Sequence, residues 1–336
     1  MNKLASILFA CLITLPGLAQ QDPPQNLLDK ARGFMRSGEF DNAIVVLVRA
    51  LQSDRDNADM QKDLVMCYYY KRDYAKALDG VKSLLDRDDA DEMTYQLAGN
   101  VYKALEQVKD CEKLYKKGLK KFPKSGPLYN EYGELLWAIK DFSAIEMWEK
   151  GIQNDPGYAG NYYNASSYYF FAKDKVWSLI YGEIFVNMES MTDRANVIKQ
   201  LLLKGYREKL FADTDLLKGE EKNKNEFSRA FLETMNRLSP LAAQGITIET
   251  LTMIRSRFIL DWYNQYAARF PFRLFDYQRQ LLQSGMFDAY NQWLFGPIES
   301  LSAYEAWTRS HADQYTAFSN FQKNRVFRVP AGQYYH

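Results

Sequence analysis

The sequence predicts an all-α chain: an α-solenoid of about five helix pairs followed by an irregular helical domain. Three observations carry that expectation. A small residue, a bulky one four positions later and a small or apolar one seven positions later recur four times, and the leading residues Ala43, Ala77, Cys111 and Ala144 stand 34, 34 and 33 positions apart. Apolar residues in the remainder of the chain also fall at helical spacing. No alternation of apolar and polar residues runs long enough to build a sheet.

Residues 1–20 read as a secretory signal peptide. Lys3 is the single charge, Leu4 to Leu18 is almost wholly apolar, and Gly17 and Ala19 supply small residues for cleavage after Ala19. The apolar run falls short of the roughly 20 residues a spanning helix needs. The expectation is therefore a periplasmic or secreted mature chain with no stable membrane insertion after cleavage. Cys11 does not make a lipid-attachment site, because Phe9 is bulky where a small residue is usual and the apolar run continues past it.

Residues 24–190 form the repeat array. The four sets are Ala43-Leu47-Ala50, Ala77-Val81-Leu84, Cys111-Tyr115-Gly118 and Ala144-Trp148-Gly151. Each follows a second apolar face: Ala31 with Phe34, Leu64 with Tyr68, Ala98-Gly99 with Tyr102, and Tyr132-Gly133 with Leu136. Short turns such as Ser37-Gly38-Glu39-Phe40 and Ile139-Lys140-Asp141-Phe142 separate the faces, and Pro123 and Pro156 close the third and fourth units. A fifth, degenerate unit runs through Tyr162, Ala165, Ser166 and Tyr169 to Ser178.

This pattern resembles the tetratricopeptide repeat (TPR) family in its period, its small residues where two helices cross, its turn aromatics and its closing prolines. The resemblance covers about half the chain. It implies stacked antiparallel helix pairs with a concave surface lined by the first helix of each pair.

Residues 191–336 read as a helical C-terminal domain. Asp193 to Phe211 has the spacing of a capping helix, and a charged stretch near 213–225 reads as an exposed boundary loop. Helices are expected over Phe227 to Leu238, stopped by Pro240, over Thr247 to Ala268, interrupted by Pro271, and over Leu301 to Phe321. Ser284-Gly285-Met286-Phe287-Asp288 repeats the turn string Ser37-Gly38-Glu39-Phe40-Asp41 with one change, which predicts a sixth, displaced helix pair. Val326 to His336 is expected to be an irregular tail that packs on the domain.

Composition narrows the function. Lys and Arg total 43 against 42 Asp and Glu, so no positive excess serves a nucleic-acid binder. Cys67 and Cys111 fall on non-adjacent helices and read as buried free thiols. No nucleophile elbow, phosphate-binding loop, dinucleotide fingerprint or zinc-protease motif is present, and the chain has two histidines, His311 and His336. No catalytic residue, metal or cofactor is assigned. The pairs Glu131/Glu134 and Asp88/Asp91 read as solvated helix faces or helix starts, and the lysine cluster from Lys116 to Lys124 as a helix-end complement that also aids surface solubility. An enzymatic reading would have to rest on Tyr304, His311 and Asp313.

Carrying the repeat register across, the concave positions include Leu28, Arg32 and Met35 in the first unit and Asp59, Lys62, Met66, Tyr69 and Tyr70 in the second. Met93, Gln96, Asn100 and Lys103 follow in the third, Asn130, Glu134 and Trp137 in the fourth, and Tyr163, Ser167 and Phe170 in the fifth. Amides among aromatics suit an extended peptide, whose backbone the amides pair and whose apolar side chains the rings cover. The resemblance thus implies a non-enzymatic scaffold of the bacterial cell envelope with a protein or peptide partner in the groove; a glycan stacked on the aromatics is the alternative. The carboxylate clamp known in the family is not expected, because Met66 stands at its asparagine position and Leu97 at another polar one.

Overall fold

A computed structural model describes residues 23–220, 223–243, 245–323 and 325–336, so the expected signal peptide and Cys11 lie outside the described residues. These residues are helical without a strand. The helices are α1 (Pro24–Arg36), α2 (Phe40–Ser53), α3 (Ala58–Tyr70), α4 (Tyr74–Leu85), α5 (Glu92–Ala104), α6 (Val108–Lys121), α7 (Gly126–Ala138), α8 (Ala144–Asn154), α9 (Ala159–Phe171) and α10 (Trp177–Met188). They continue as α11 (Asp193–Lys204), α12 (Glu226–Asn236), α13 (Ser239–Ala242), α14 (Ile248–Gln265), α15 (Arg273–Gln283), α16 (Phe287–Glu299), α17 (Leu301–Ser310) and α18 (Ala312–Lys323). Two compact units emerge, one ending at Asp88 and one beginning at Asp89.

One turn is built six times. The first helix of each pair ends in a residue of positive φ: Gly38, Arg72, Glu106, Lys140, Lys173 and Gly285. The next backbone N–H reaches back to a carbonyl five residues earlier, as in Glu39 to Phe34, Asp141 to Leu136 and Met286 to Leu281, each at 2.9 Å. This closure satisfies a carbonyl that the helix end would leave bare. Gly38 and Gly285 take the left-handed conformation without a Cβ penalty. The shared geometry makes α15 and α16 a helix pair of the same construction, as the repeated turn string predicts.

In the first unit the repeat positions become core. Leu27, Leu28, Ala31, Ala43, Leu47, Ala50, Met60 and Cys67 form one buried cluster. Asn57 caps α3 by accepting from the Met60 amide at 3.1 Å, and Asp73 caps α4 by accepting from the Lys76 amide.

In the second unit the small residues at helix crossings have a measurable reason. A Cβ on Gly99 would lie 2.1 Å from the Tyr115 hydroxyl, and one on Gly133 would lie 2.4 Å from Trp148 Nε1. Cys111 is buried and its thiol contacts the Gly99 carbonyl at 3.6 Å. Burial pushes both Cys67 and Cys111 up to about 11.

The later helices close around one buried ion pair. Glu183 of α10 pairs with Arg255 of α14 and accepts from Gln278 of α15 at 2.6 Å and from the Tyr290 hydroxyl of α16 at 2.7 Å. Arg255 also donates to Asn291, and its guanidinium lies 5.3 to 6.0 Å from the ring centres of Tyr206, Phe287, Tyr290 and Phe295.

Four expectations for this half are corrected. The capping helix relaxes into a π-helical turn, Gly205–Leu210, before Phe211. The stretch near 213–225 is not wholly exposed, since Leu216 is buried and its amide donates to Asn236 at 2.8 Å. Pro240 opens α13 rather than ending α12, because a proline in a first turn gives up no intrahelical bond. The helix expected over Leu301 to Phe321 is two, α17 and α18, separated at His311. Residues 325–336 carry no regular structure, with Phe327 and Val329 buried. Among the described residues no helix is long and apolar enough to cross a membrane.

Candidate binding site on the first-helix faces

In the first unit, α1 and α3 present their register positions beside a depression of about 350 Å³ lined by Arg32, Met35, Arg36, Phe40, Met66 and Tyr70. Tyr70 is 55% exposed and stacks on Phe40 with ring centres 5.1 Å apart. Tyr69 stands edge-on to Tyr70 at 5.6 Å and turns toward Tyr74. Arg32 donates to Asp63 at 2.7 Å, which holds its guanidinium above the usual arginine range. Lys62 is buried against its own helix and pairs with Asp59 at 3.0 Å. Leu28 is corrected: it faces the core, since α1 turns its apolar stripe onto α2. The depression thus has an apolar, polarisable floor with guanidinium groups at its rim.

In the second unit the first helices carry a polar ladder. Lys103 of α5 pairs with Glu131 of α7. Asn130 donates to Glu134 at 2.8 Å and accepts from Asn164 of α9 at 2.9 Å, while Asn164 also donates to Glu134 at 3.2 Å. Asn130 is buried, so its amide is committed to this triad. Gln96 and Asn100 are half-buried on α5, and Leu97 is buried. Of the acidic pairs read as solvated faces or helix starts, Asp91 is a helix start, capping α5 by accepting from the Thr94 amide at 2.9 Å.

Trp137 is 40% exposed and meets Phe142 and Tyr168 edge-on, each with ring centres 5.8 Å apart. Phe142 is 62% exposed, so a ring surface stands open where α7 turns into α8. Farther along, the rings are covered by cations. Arg194 of α11 lies 5.2 Å from the Tyr163 ring centre and pairs with Glu189 at 2.5 Å. Lys209 lies 5.0 Å from the Phe170 ring centre. Asn164, Phe40, Phe142 and Tyr168 were missed in the sequence. The turn aromatics had a signal in the recurring string that ends Phe40, Tyr74 and Phe142; Asn164 had none.

The residues of the enzymatic reading lie on α17, the α17–α18 junction and α18, and the Ser310 hydroxyl lies 2.9 Å from His311 Nδ1. His311 stacks on Trp307 with ring centres 4.4 Å apart, and Tyr304 bonds to Tyr315. Among the described residues no group of three or more His, Cys, Asp or Glu side chains gathers as a metal site would.

Residues 34–101 match the family described as Tetratricopeptide repeat. That stretch is tetratricopeptide-repeat sequence. The later helix pairs share the turn geometry of that stretch. The chain is similar in structure to a thermophilic TPR protein of Thermus thermophilus, TTC0263, at 16% identity over 54% of this chain and 99% of that one, with a TM-score of 0.45. It is also similar to YrrB, a TPR protein with an unusual peptide-binding site, at 19% identity over 52% of this chain and 90% of that one, with a TM-score of 0.37. Human IFIT1, in a dimer with PPP-AAAA, shares 14% identity over 88% of this chain and 65% of that one, with a TM-score of 0.41. No curated protein sequence matches the chain.

Proposed function

We propose that the chain is a protein- or peptide-binding scaffold whose first-helix faces receive an extended partner segment. Binding would use shape and hydrogen bonding, with no chemical step. The observation that carries this reading is the depression beneath Tyr70. Two methionines and the Phe40–Tyr70 stack offer an adaptable apolar seat, and Arg36 and Arg32 border it. A segment with a bulky apolar side chain beside an acidic one matches that chemistry. Trp137 and Phe142 offer a second, separate apolar contact.

Panning a displayed random-peptide library on the protein tests this. Enriched peptides should carry a bulky apolar residue next to Asp or Glu, and Tyr70→Ala or Trp137→Ala should weaken their binding about tenfold, the loss of one well-packed aromatic anchor. Enrichment that is absent, or indifferent to both substitutions, sinks the reading.

The signal-like first residues support export to the periplasm or beyond. Fractionation of expressing cells with N-terminal mass analysis would place a chain starting at Gln20 outside the cytoplasm; a full-length cytoplasmic chain would reverse that assignment.

A further inference from the structure

Residues 333–336 lie on a surface built to hold them. The Gln333 side-chain oxygen accepts from the Arg273 amide at 2.6 Å, and Asn225 donates to the Tyr335 carbonyl at 2.6 Å. The Tyr335 ring stacks on Phe227 with centres 5.0 Å apart, and its hydroxyl donates to the Pro271 carbonyl at 2.8 Å. His336 then enters a seat formed by α8, α9 and α10. Its Nε2 is 2.7 Å from the Tyr169 hydroxyl, its ring meets Trp177 at 5.1 Å, and its Nδ1 is 3.7 Å from a Glu149 oxygen.

Glu149 is the centre of that seat. It is 6% exposed, and it accepts from the Tyr169 and Tyr181 hydroxyls, each at 2.9 Å. Tyr334 bears on it from the strap, and Asp174 faces both Glu149 and His336 from the α9–α10 turn. A buried carboxylate held by phenols gains from a covering group that can donate to it. The seat side is three packed helices. The strap side is irregular backbone, and Tyr334, Tyr335 and His336 all keep part of their surface in solvent. Part-exposed irregular backbone opens before packed helices do.

We propose that this seat is a peptide-recognition site which the chain's own residues 333–336 fill in cis, and that a segment presenting two adjacent aromatic side chains followed by an imidazole competes for it. The site is distinct from the first-helix depression, since the two share no lining residue. Tethering gives the strap a high effective concentration, so a free peptide gains access chiefly when the strap is weakened.

The test uses a fluorescent peptide with the sequence of residues 325–336, titrated into the full chain. A Tyr335→Ala/His336→Ala variant should bind it at least tenfold more tightly than the wild type, and adding Glu149→Ala should remove that gain. Equal affinity of wild type and variant, or a gain that survives Glu149→Ala, overturns the proposal. Hydrogen exchange on the unmodified protein decides it independently of how the variants fold. Amides of 333–336 should exchange at least a hundredfold faster than those of α9 and α10, and equal protection would show the strap to be a fixed part of the core.

Discussion

Glu183 and Glu149 occupy the same helical unit, are almost equally buried, and meet the demand of burial in opposite ways. Glu183 faces a guanidinium, an amide and a phenol drawn from three later helices. Burial works against the charge of Arg255, but Glu183 and the phenols of Tyr206 and Tyr290 together push it above the usual arginine range. Glu149 has phenols and one imidazole. Burial drives its carboxyl up to about 7, against the pull of the hydroxyls of Tyr334, Tyr169 and Tyr181. The first arrangement locks charge in place to join helices, and the second leaves a proton mobile near neutrality.

The largest expected effect breaks the first arrangement. Arg255→Met leaves Glu183 buried without its cation and should cost about 3–5 kcal/mol in urea unfolding, whereas Glu183→Met/Arg255→Met should recover most of that. If the double variant is no more stable than the single, the ion pair itself is holding the helices.

The next prediction concerns pH. The raised Glu149 pKa favours the fold when the carboxyl is protonated, an advantage fully present below the unfolded value of 4.5 and lost as pH rises to about 7. Glu149→Gln should flatten this, changing the stability difference between pH 4.5 and 7.5 by on the order of 2–3 kcal/mol. Asp174, raised by burial against the pull of the Trp177 and Val176 amides, slopes the same way and persists in the variant. His336, lowered by burial, opposes the trend on the acid side. Parallel stability–pH curves for the two proteins would refute the assignment to Glu149.

Packing comes third. Gly133→Ala should cost about 1–3 kcal/mol, because its Cβ would meet the Trp148 ring, and should cost less in a Trp148→Phe background. The smallest effect is at the surface. Trp137→Ala should change stability by about 1 kcal/mol or less, so a large loss of peptide binding there would report contact rather than unfolding.

The repeat array was legible because its information is local. A period of 34, small residues at crossings and one recurring turn string are all read within a few dozen positions. The buried network was not, because its partners lie far apart: Arg255 and Asn291 are separated by 36 positions, Glu183 and Tyr290 by 107. Each of those residues, taken alone, has the look of a surface polar group. Pro240 misled for a related reason, since a proline that ends one helix and one that opens the next are locally alike. For the candidate site, the register located Met66, Tyr70 and Trp137 on accessible faces. It could not show that Asn130 spends its amide on Asn164 and Glu134, or that cations cover Tyr163 and Phe170, because neither fact has a sequence period.

Cys67 and Cys111 carry a last consequence. Inside the fold both thiols stay protonated and shielded, so oxidants and exchange partners find no thiolate to attack. Unfolding strips that shelter from each thiol in its own unit, and in an oxidising milieu the open chain becomes a trap for mixed disulfides. For an exported form of this chain, one long excursion from the native state would be a chemical event rather than a reversible one, and lifetime would be set by how rarely the helices part.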